Sequence, residues 1–284
     1  MHLLILIVAL LVAYQFREIT AIFRNKSQIS WQKSLFCFAF PPLFLLMAAL
    51  AVISMGYDGM MFGLRASWVS YGVAIAFLGW SVGLGAYRLW QAIQSLQEMK
   101  QYPLSWIKSQ PTRILETPFP YSAQIGLWNP QLVMSQGLLD TLDEEHLDAV
   151  LAHENAHSYY RDTFWFFCLG WLRQITFWLP QTEELWQELL FIRELRADQK
   201  AAENVDPLLL AEALMVVAQT VQQTPVLPQF DAIAAALHQE ESRLITRINY
   251  LVDPAEVANM GNQPFNWVLL ALALIPLILI PLHS

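Results

Sequence analysis

Two stretches of this chain contain no aspartate, glutamate, lysine or arginine: Leu35–Met55 and Ala66–Tyr87. A helix needs about 20 residues to cross a hydrocarbon core of about 30 Å, and both stretches meet that length. In lipid the backbone of such a run is satisfied only by coiling on itself, so each is expected to be a spanning helix. Met1–Phe16 and Phe265–Leu282 are also free of charge and approach the same length. Composition agrees, with 56% of the 284 residues hydrophobic and 14% charged, against about 25% charged in ordinary soluble domains. The chain is therefore expected to be an integral, multi-pass membrane protein embedded in the lipid bilayer. Residues 1–87 hold three transmembrane helices, and residues 265–284 a C-terminal transmembrane helix.

Orientation follows from the basic residues. Met1–Phe16 lacks a positive segment before its apolar run and a small-residue cleavage pattern after it, so it is expected to be an uncleaved helix with its N-terminus outside. Arg17, Arg24, Lys26 and Lys33 follow it; Arg88, Lys100 and Lys108 follow the third run. Only Arg65 stands in the loop between the second and third runs. The side rich in lysine and arginine is the cytoplasmic one. A net charge of −8 leaves no basic surface for phosphate backbones, so nucleic acid is not an expected partner. Cys37 and Cys168 both sit in apolar runs and read as small buried hydrophobes.

The stretch 88–264 is the part long enough for a water-facing domain. It opens with Pro103, Pro111, Pro118 and Pro120. Two short apolar runs then flank Asn129-Pro130 within Ile125–Met134, which predicts a hairpin or a strand with a turn. Thr141-Leu-Asp-Glu144 has the spacing of a capping box and predicts a helix starting there. Further helices are predicted over Glu183–Glu203, from Asp206-Pro207 onward, and over roughly Asp231–Leu251.

On the first of these helices stands His153-Glu154-Asn155-Ala156-His157. A spacing of four puts both imidazoles on one helix face, about 6 Å apart along the axis. Two ring nitrogens can then meet one Zn2+ ion, while Glu154 can take a proton from water that the metal activates. With six histidines in the whole chain, the motif is a rare chance event. A catalytic zinc takes a third protein ligand. Glu194, 37 residues after His157, fits better than His146, which lies about 10.5 Å along the axis from His153. Asp198 is one turn beyond Glu194 and can fix a ligand imidazole by accepting its second N–H.

HExxH followed by Glu194-Leu-Arg-Ala-Asp198 resembles the integral-membrane zinc peptidases of the gluzincin group, including CAAX prenyl endopeptidases, HtpX-like proteases and BlaR/MecR-type peptidases. Gly137–His153, Tyr160-Arg-Asp162 and Arg243–Leu251 are similar to family elements, so the resemblance covers about Tyr121–Leu251. Trp178-Leu-Pro180 followed by Trp186 looks like the BlaR/MecR type. Ala197, where that type has cysteine, matches the HtpX and prenyl-protease form. With the chain ending at Ser284, no sensor domain is expected to follow.

The resemblance implies a mainly α fold: multispanning membrane helices with a zincin-like helical catalytic domain at the cytoplasmic face, carrying a small β-hairpin or sheet. It implies a zinc metalloendopeptidase with one Zn2+ per chain, metal ligands His153, His157 and Glu194, Glu154 as general base, and Asp198 behind the ligands. Arg247 or His238 is a candidate for stabilising the oxyanion, with a structural salt bridge as the alternative for Arg247; Tyr160 is a weaker candidate. The substrate is a peptide or membrane protein, which by family analogy pairs with the strand near Ile125–Met134. His157 and Glu194 can share one ion only if the apolar segment 163–180 returns to the side it left. That segment is expected to lie along the membrane surface, or to dip in and come back, with Arg173 reaching for the interface. The alternatives are a catalytically silent scaffold or signal transducer of the same fold, and a transporter or channel. Transport would call for ionisable or helix-breaking residues within the spans; the two long runs hold no Asp, Glu, Lys or Arg, though Pro41-Pro42 and the glycines around Gly79–Gly85 lie in them.

Overall fold

A computed structural model of the chain describes residues 2–24, 30–58, 60–61, 64–65, 68–223, 231–253 and 267–282. These form two compact units, one from Met1–Trp90, Cys168–Leu190 and Met260–Ser284, the other from Gln91–Phe167 and Phe191–Asn259.

The first unit is built on α1 (His2–Arg24), α2 (Trp31–Met55) and the start of α3 (Trp68–Met99). All three helices are long and apolar enough to cross a membrane. A two-stranded ladder, β1 (Met60–Met61) with β2 (Leu64–Arg65), lies between α2 and α3. α2 packs on α1, and Ala48, Ala51 and Val52 are fully buried; small side chains let helices approach closely. Leu3, Ile7 and Leu11 of α1, and Val69, Val73 and Val82 of α3, remain exposed, as a surface facing lipid tails requires. The final apolar stretch is α-helical over Trp267–Ala271 and continues as a 3-10 helix over Leu272–Leu282. Pro276 and Pro281 lie inside it, and each removes an N–H that an α-helix would use.

The first helix outlasts its uncharged run: α1 continues past Phe16 to Arg24, and Arg17 is fully buried. The reason lies in α2, where Pro41 and Pro42 stand inside the helix. Proline at 42 leaves the Phe38 carbonyl without its usual N–H four residues on. Arg17 Nη2 donates to that carbonyl at 2.9 Å, and its guanidinium lies 5.5 Å from the centre of the Phe38 ring.

The same unit holds most of the apolar segment 163–180. It is the greater part of α6 (Asp162–Ile175) and a turn that leads into α7 (Thr182–Ala201). Thr182 Oγ1 ties the turn by donating to the carbonyls of Thr176 and Leu179. Arg173 pairs with Glu183 at 2.6 Å and lies over the Trp186 ring.

The second unit contains a four-stranded sheet, β3 (Leu104–Ile107), β4 (Gln110–Leu115), β5 (Ser122–Ile125) and β6 (Gln131–Ser135), in the order β3-β4-β6-β5. β5 and β6 are the hairpin predicted around Asn129-Pro130, with Ser122 opposite Met134 and Ile125 opposite Gln131. β3 and β4 were not predicted. They form a second hairpin, and β4 lies parallel to β6. Around the sheet stand α4 (Gln136–Thr141), α5 (Glu144–Tyr160), α8 (Pro207–Gln223) and α9 (Asp231–Val252). The cap of α5 differs from the predicted box. Asp143, not Thr141, is the N-cap, and its carboxylate accepts from the His146 N–H at 2.9 Å. Thr141 instead closes α4, donating to the Gly137 carbonyl. α8 begins at Pro207 as predicted, with Asp206 accepting from the Leu208 N–H. Leu132 and Met134 of β6, Leu138 of α4, Val150 and Leu151 of α5 and Leu210 of α8 share one core. That core packs the sheet and α8 against α5, and Val150 within it shares the helix face of His153 and His157, three and seven residues on.

Candidate metal centre

α5 brings His153 and His157 together as their spacing dictates. Their Nε2 atoms stand 3.1 Å apart, and Glu194 Oε2 of α7 lies 3.4 Å from the first and 3.8 Å from the second. One ligand atom from each of the three lies within 4.8 Å of the others. Two imidazoles and a carboxylate are a donor set that suits zinc. The far nitrogen of each ring is held as well: His153 Nδ1 lies 2.8 Å from Asp198 Oδ1, and His157 Nδ1 2.8 Å from Asp162 Oδ2. With a carboxylate beside each Nδ1, Nε2 of both rings is left toward the centre. On chemistry and geometry the residues fit the metal.

Electrostatics favour a cation here. Burial alone would lower the His153 pKa, but Asp198 and then Glu194 raise it to about 9. Burial would likewise raise Glu194, yet His153, Arg247 and Arg193 hold it well below the usual carboxylate range. Asp198 is held down against burial chiefly by Arg247, then by His153. Anions that keep a proton on a buried imidazole would also draw a divalent cation to it.

The remaining candidates separate cleanly. Glu154, on α5 beside the first histidine, is buried. Ser122 Oγ of β5 donates to its Oε1 at 2.6 Å. Arg247 of α9 forks onto Asp198, with Nε 2.6 Å from Oδ2 and Nη2 2.8 Å from Oδ1, and its Nη1 lies 3.6 Å from Glu194 Oε2. The observed contact is thus the salt bridge held as the alternative for Arg247. Tyr160 has its ring under the Arg196 guanidinium, 4.1 Å away. His146 turns to its own cap residue, Asp143, at 2.7 Å. The side chain of His238 lies outside the described residues.

Three partners were not read from the sequence as parts of the site. Asp162 follows Arg161, which ends α5 in the left-handed conformation at φ 54°; no helical period predicts that a residue past such a break turns back to His157. Arg193 donates from Nε and Nη2 to Glu194 Oε1, leaving Oε2 toward the histidines. Being adjacent in sequence, the pair carries no spacing signal. Ser122 comes from a strand 32 residues away. A cavity of about 340 Å³ opens onto the cluster, with Leu138, Val150, Leu214 and Val217 on one wall and Glu154, His157 and Arg247 among the polar residues.

The chain leaves the cluster at Asp162 and is back at Glu194.

Residues 114–228 match the model of peptidase family M48. The matched stretch starts in β4, takes in the metal helix and α7, and ends just past α8. It contains His153, Glu154, His157, Glu194 and Asp198, and bears out the resemblance drawn from HExxH and ExxAD. Comparison with curated proteins and with solved structures returns no match.

Proposed function

We propose that this domain, with its match to the M48 metallopeptidases, is a membrane-bound zinc metalloendopeptidase holding one Zn2+ per chain through His153, His157 and Glu194. The observation that carries the reading is the convergence of two Nε2 atoms and one carboxylate oxygen within 4.8 Å, beside a buried glutamate. When bound, zinc supplies a Lewis acid and makes water acidic enough to lose a proton near neutral pH. Glu154 acts as general base: its carboxylate takes the proton from the attacking water and later delivers it to the amine that leaves. Asp198 and Asp162, each beside the Nδ1 of one imidazole, hold the two rings with Nε2 pointing inward. Arg247, through its fork onto Asp198, holds that carboxylate in place.

The substrate is a peptide or a membrane protein. An extended segment of it can add to the edge of β5 that pairs with no strand among the described residues, through main-chain hydrogen bonds that do not depend on sequence. The domain is assigned to the cytoplasmic side, since Arg24, Lys26, Lys33, Lys100 and Lys108 flank the spans on that side. A silent scaffold is not favoured, because the base and all three ligands are present.

The test uses the full chain in detergent. The wild type should carry one zinc per chain and cleave casein. His153→Ala should abolish zinc. Glu154→Gln should keep zinc and fold while stopping cleavage. Cleavage retained by Glu154→Gln would remove Glu154 as base, and a wild type without zinc would remove the metal.

A further inference from the structure

Two side chains of the edge strand β5 hydrogen-bond to one residue of α5. Ser122 and Gln124 are two apart on β5, so their side chains leave the same face of the strand. Both end on Glu154: Ser122 Oγ donates to Oε1 at 2.6 Å, and Gln124 Nε2 donates to the backbone carbonyl at 3.3 Å. The other carboxylate oxygen, Oε2, is buried and has no hydrogen-bond partner among the described residues. Glu154 lines the same cavity as both histidines, Glu194 and Ser122.

A glutamate carboxylate turns easily about its last torsion, which has a broad, two-fold profile. With no fixed donor its two oxygens would exchange places. A hydroxyl bound to one of them breaks that symmetry. A buried carboxylate oxygen left without a donor is costly, so such an atom in a reactive cavity calls for a purpose.

We propose that Ser122 is a positioning residue for Glu154: its hydroxyl occupies Oε1 and commits Oε2 to the proton that moves during hydrolysis. This rests on the assignment of Glu154 as general base. The proton passes from water to Oε2, then from Oε2 to the nitrogen of the leaving amine as the C–N bond breaks. Ser122 keeps its own proton throughout. Because Gln124 fastens the same strand to the same residue, the base and the strand edge open to a substrate keep a fixed register.

Threonine and valine at position 122 have nearly the same shape, and both suit a strand, so their comparison isolates the hydroxyl. Ser122→Thr, Ser122→Val, Ser122→Ala and Glu154→Gln are prepared as full chains in detergent. For each, zinc per chain is measured, with kcat and KM on fluorescein-labelled casein. Hydrogen bonds to charged groups are strong enough that Ser122→Val should lose about tenfold or more in kcat relative to Ser122→Thr. KM should stay within about twofold and zinc at one per chain. Ser122→Ala should behave like the valine variant.

Equal kcat for threonine and valine overturns the inference. So does a loss in the valine or alanine variant that appears in KM or zinc content rather than in kcat. Cleavage lost in Glu154→Gln but kept in Ser122→Val brings down this inference alone. Cleavage kept in Glu154→Gln brings down the assignment of the base, and this inference with it.

Discussion

Asp198 serves two partners with one carboxylate: it faces the outer nitrogen of His153 and takes both prongs of Arg247. Partners behind a metal ligand typically carry 10–100-fold in metal affinity. Asp198→Asn should therefore weaken zinc binding by about 10–100-fold, read by competition with a chromophoric chelator, while HExxH itself is untouched. Unchanged affinity would show that His153 is oriented without it. At this scale the sequence was most legible where a period applies. His153 and His157 are one turn apart, Glu194 and Asp198 likewise, and all four met as the helical repeat requires. Asp162, Arg193 and Ser122 were illegible as site residues for three different reasons: a left-handed break, adjacency in sequence, and a partner that only the tertiary fold supplies.

Among elements, the sheet was half legible. The β5–β6 hairpin announces itself through Asn129-Pro130, but β3 and β4 hide behind prolines that normally argue against a strand. Pro111 is tolerated for a geometric reason. Ile107 and Gln110 form the pair that closes the hairpin turn, so Trp106 and Pro111 fall at a pair that exchanges no hydrogen bonds. On its other side β4 pairs with β6 only from Thr112 onward, and no N–H is missed at 111.

The junction of β6 and α4 is less forgiving. A Cβ added at Gly137 would come within 2.0 Å of the Pro118 carbonyl oxygen. Gly137→Ala must displace backbone rather than a side-chain tip, and should cost about 1–3 kcal/mol or more, as overpacking does. A lower melting temperature in detergent, with zinc retained, is the expected result. The α5 cap adds a pH signature. The Asp143 carboxylate is held below its ordinary pKa, first by the His146 N–H. Its stabilising effect is thus present above the ordinary value of 3.8 and lost as pH falls through the lowered one. Asp143→Ala should melt lower than wild type at neutral pH, and the gap should close in strong acid.

For the whole molecule, uncharged runs conveyed the membrane class, and three helices among the described residues are long and apolar enough to cross a bilayer; the mainly helical fold with a small sheet, which the family resemblance implied, is the one observed. Arg17, the first basic residue after the opening uncharged run, belongs to the buried interior of α1. Metal and fold should be linked across the protein. A ligand that binds only the folded state stabilises it by about 2.7 kcal/mol at a hundredfold excess over its Kd. Zinc should therefore raise the melting temperature and a chelator lower it, whereas His153→Ala should respond to neither. An unchanged wild-type melt would mean that the cluster does not take up metal on folding.

The guanidinium of residue 17 and the imino acid at residue 42 amount to one decision written in two places. A descendant that trades Pro42 for alanine regains a helical N–H and has no further need of the arginine. One that drops Arg17 alone strands a carbonyl in an apolar interior. Drift should find it easier to erase both together than the basic residue by itself, and Arg17→Leu should be harmful in this background yet tolerated beside Pro42→Ala.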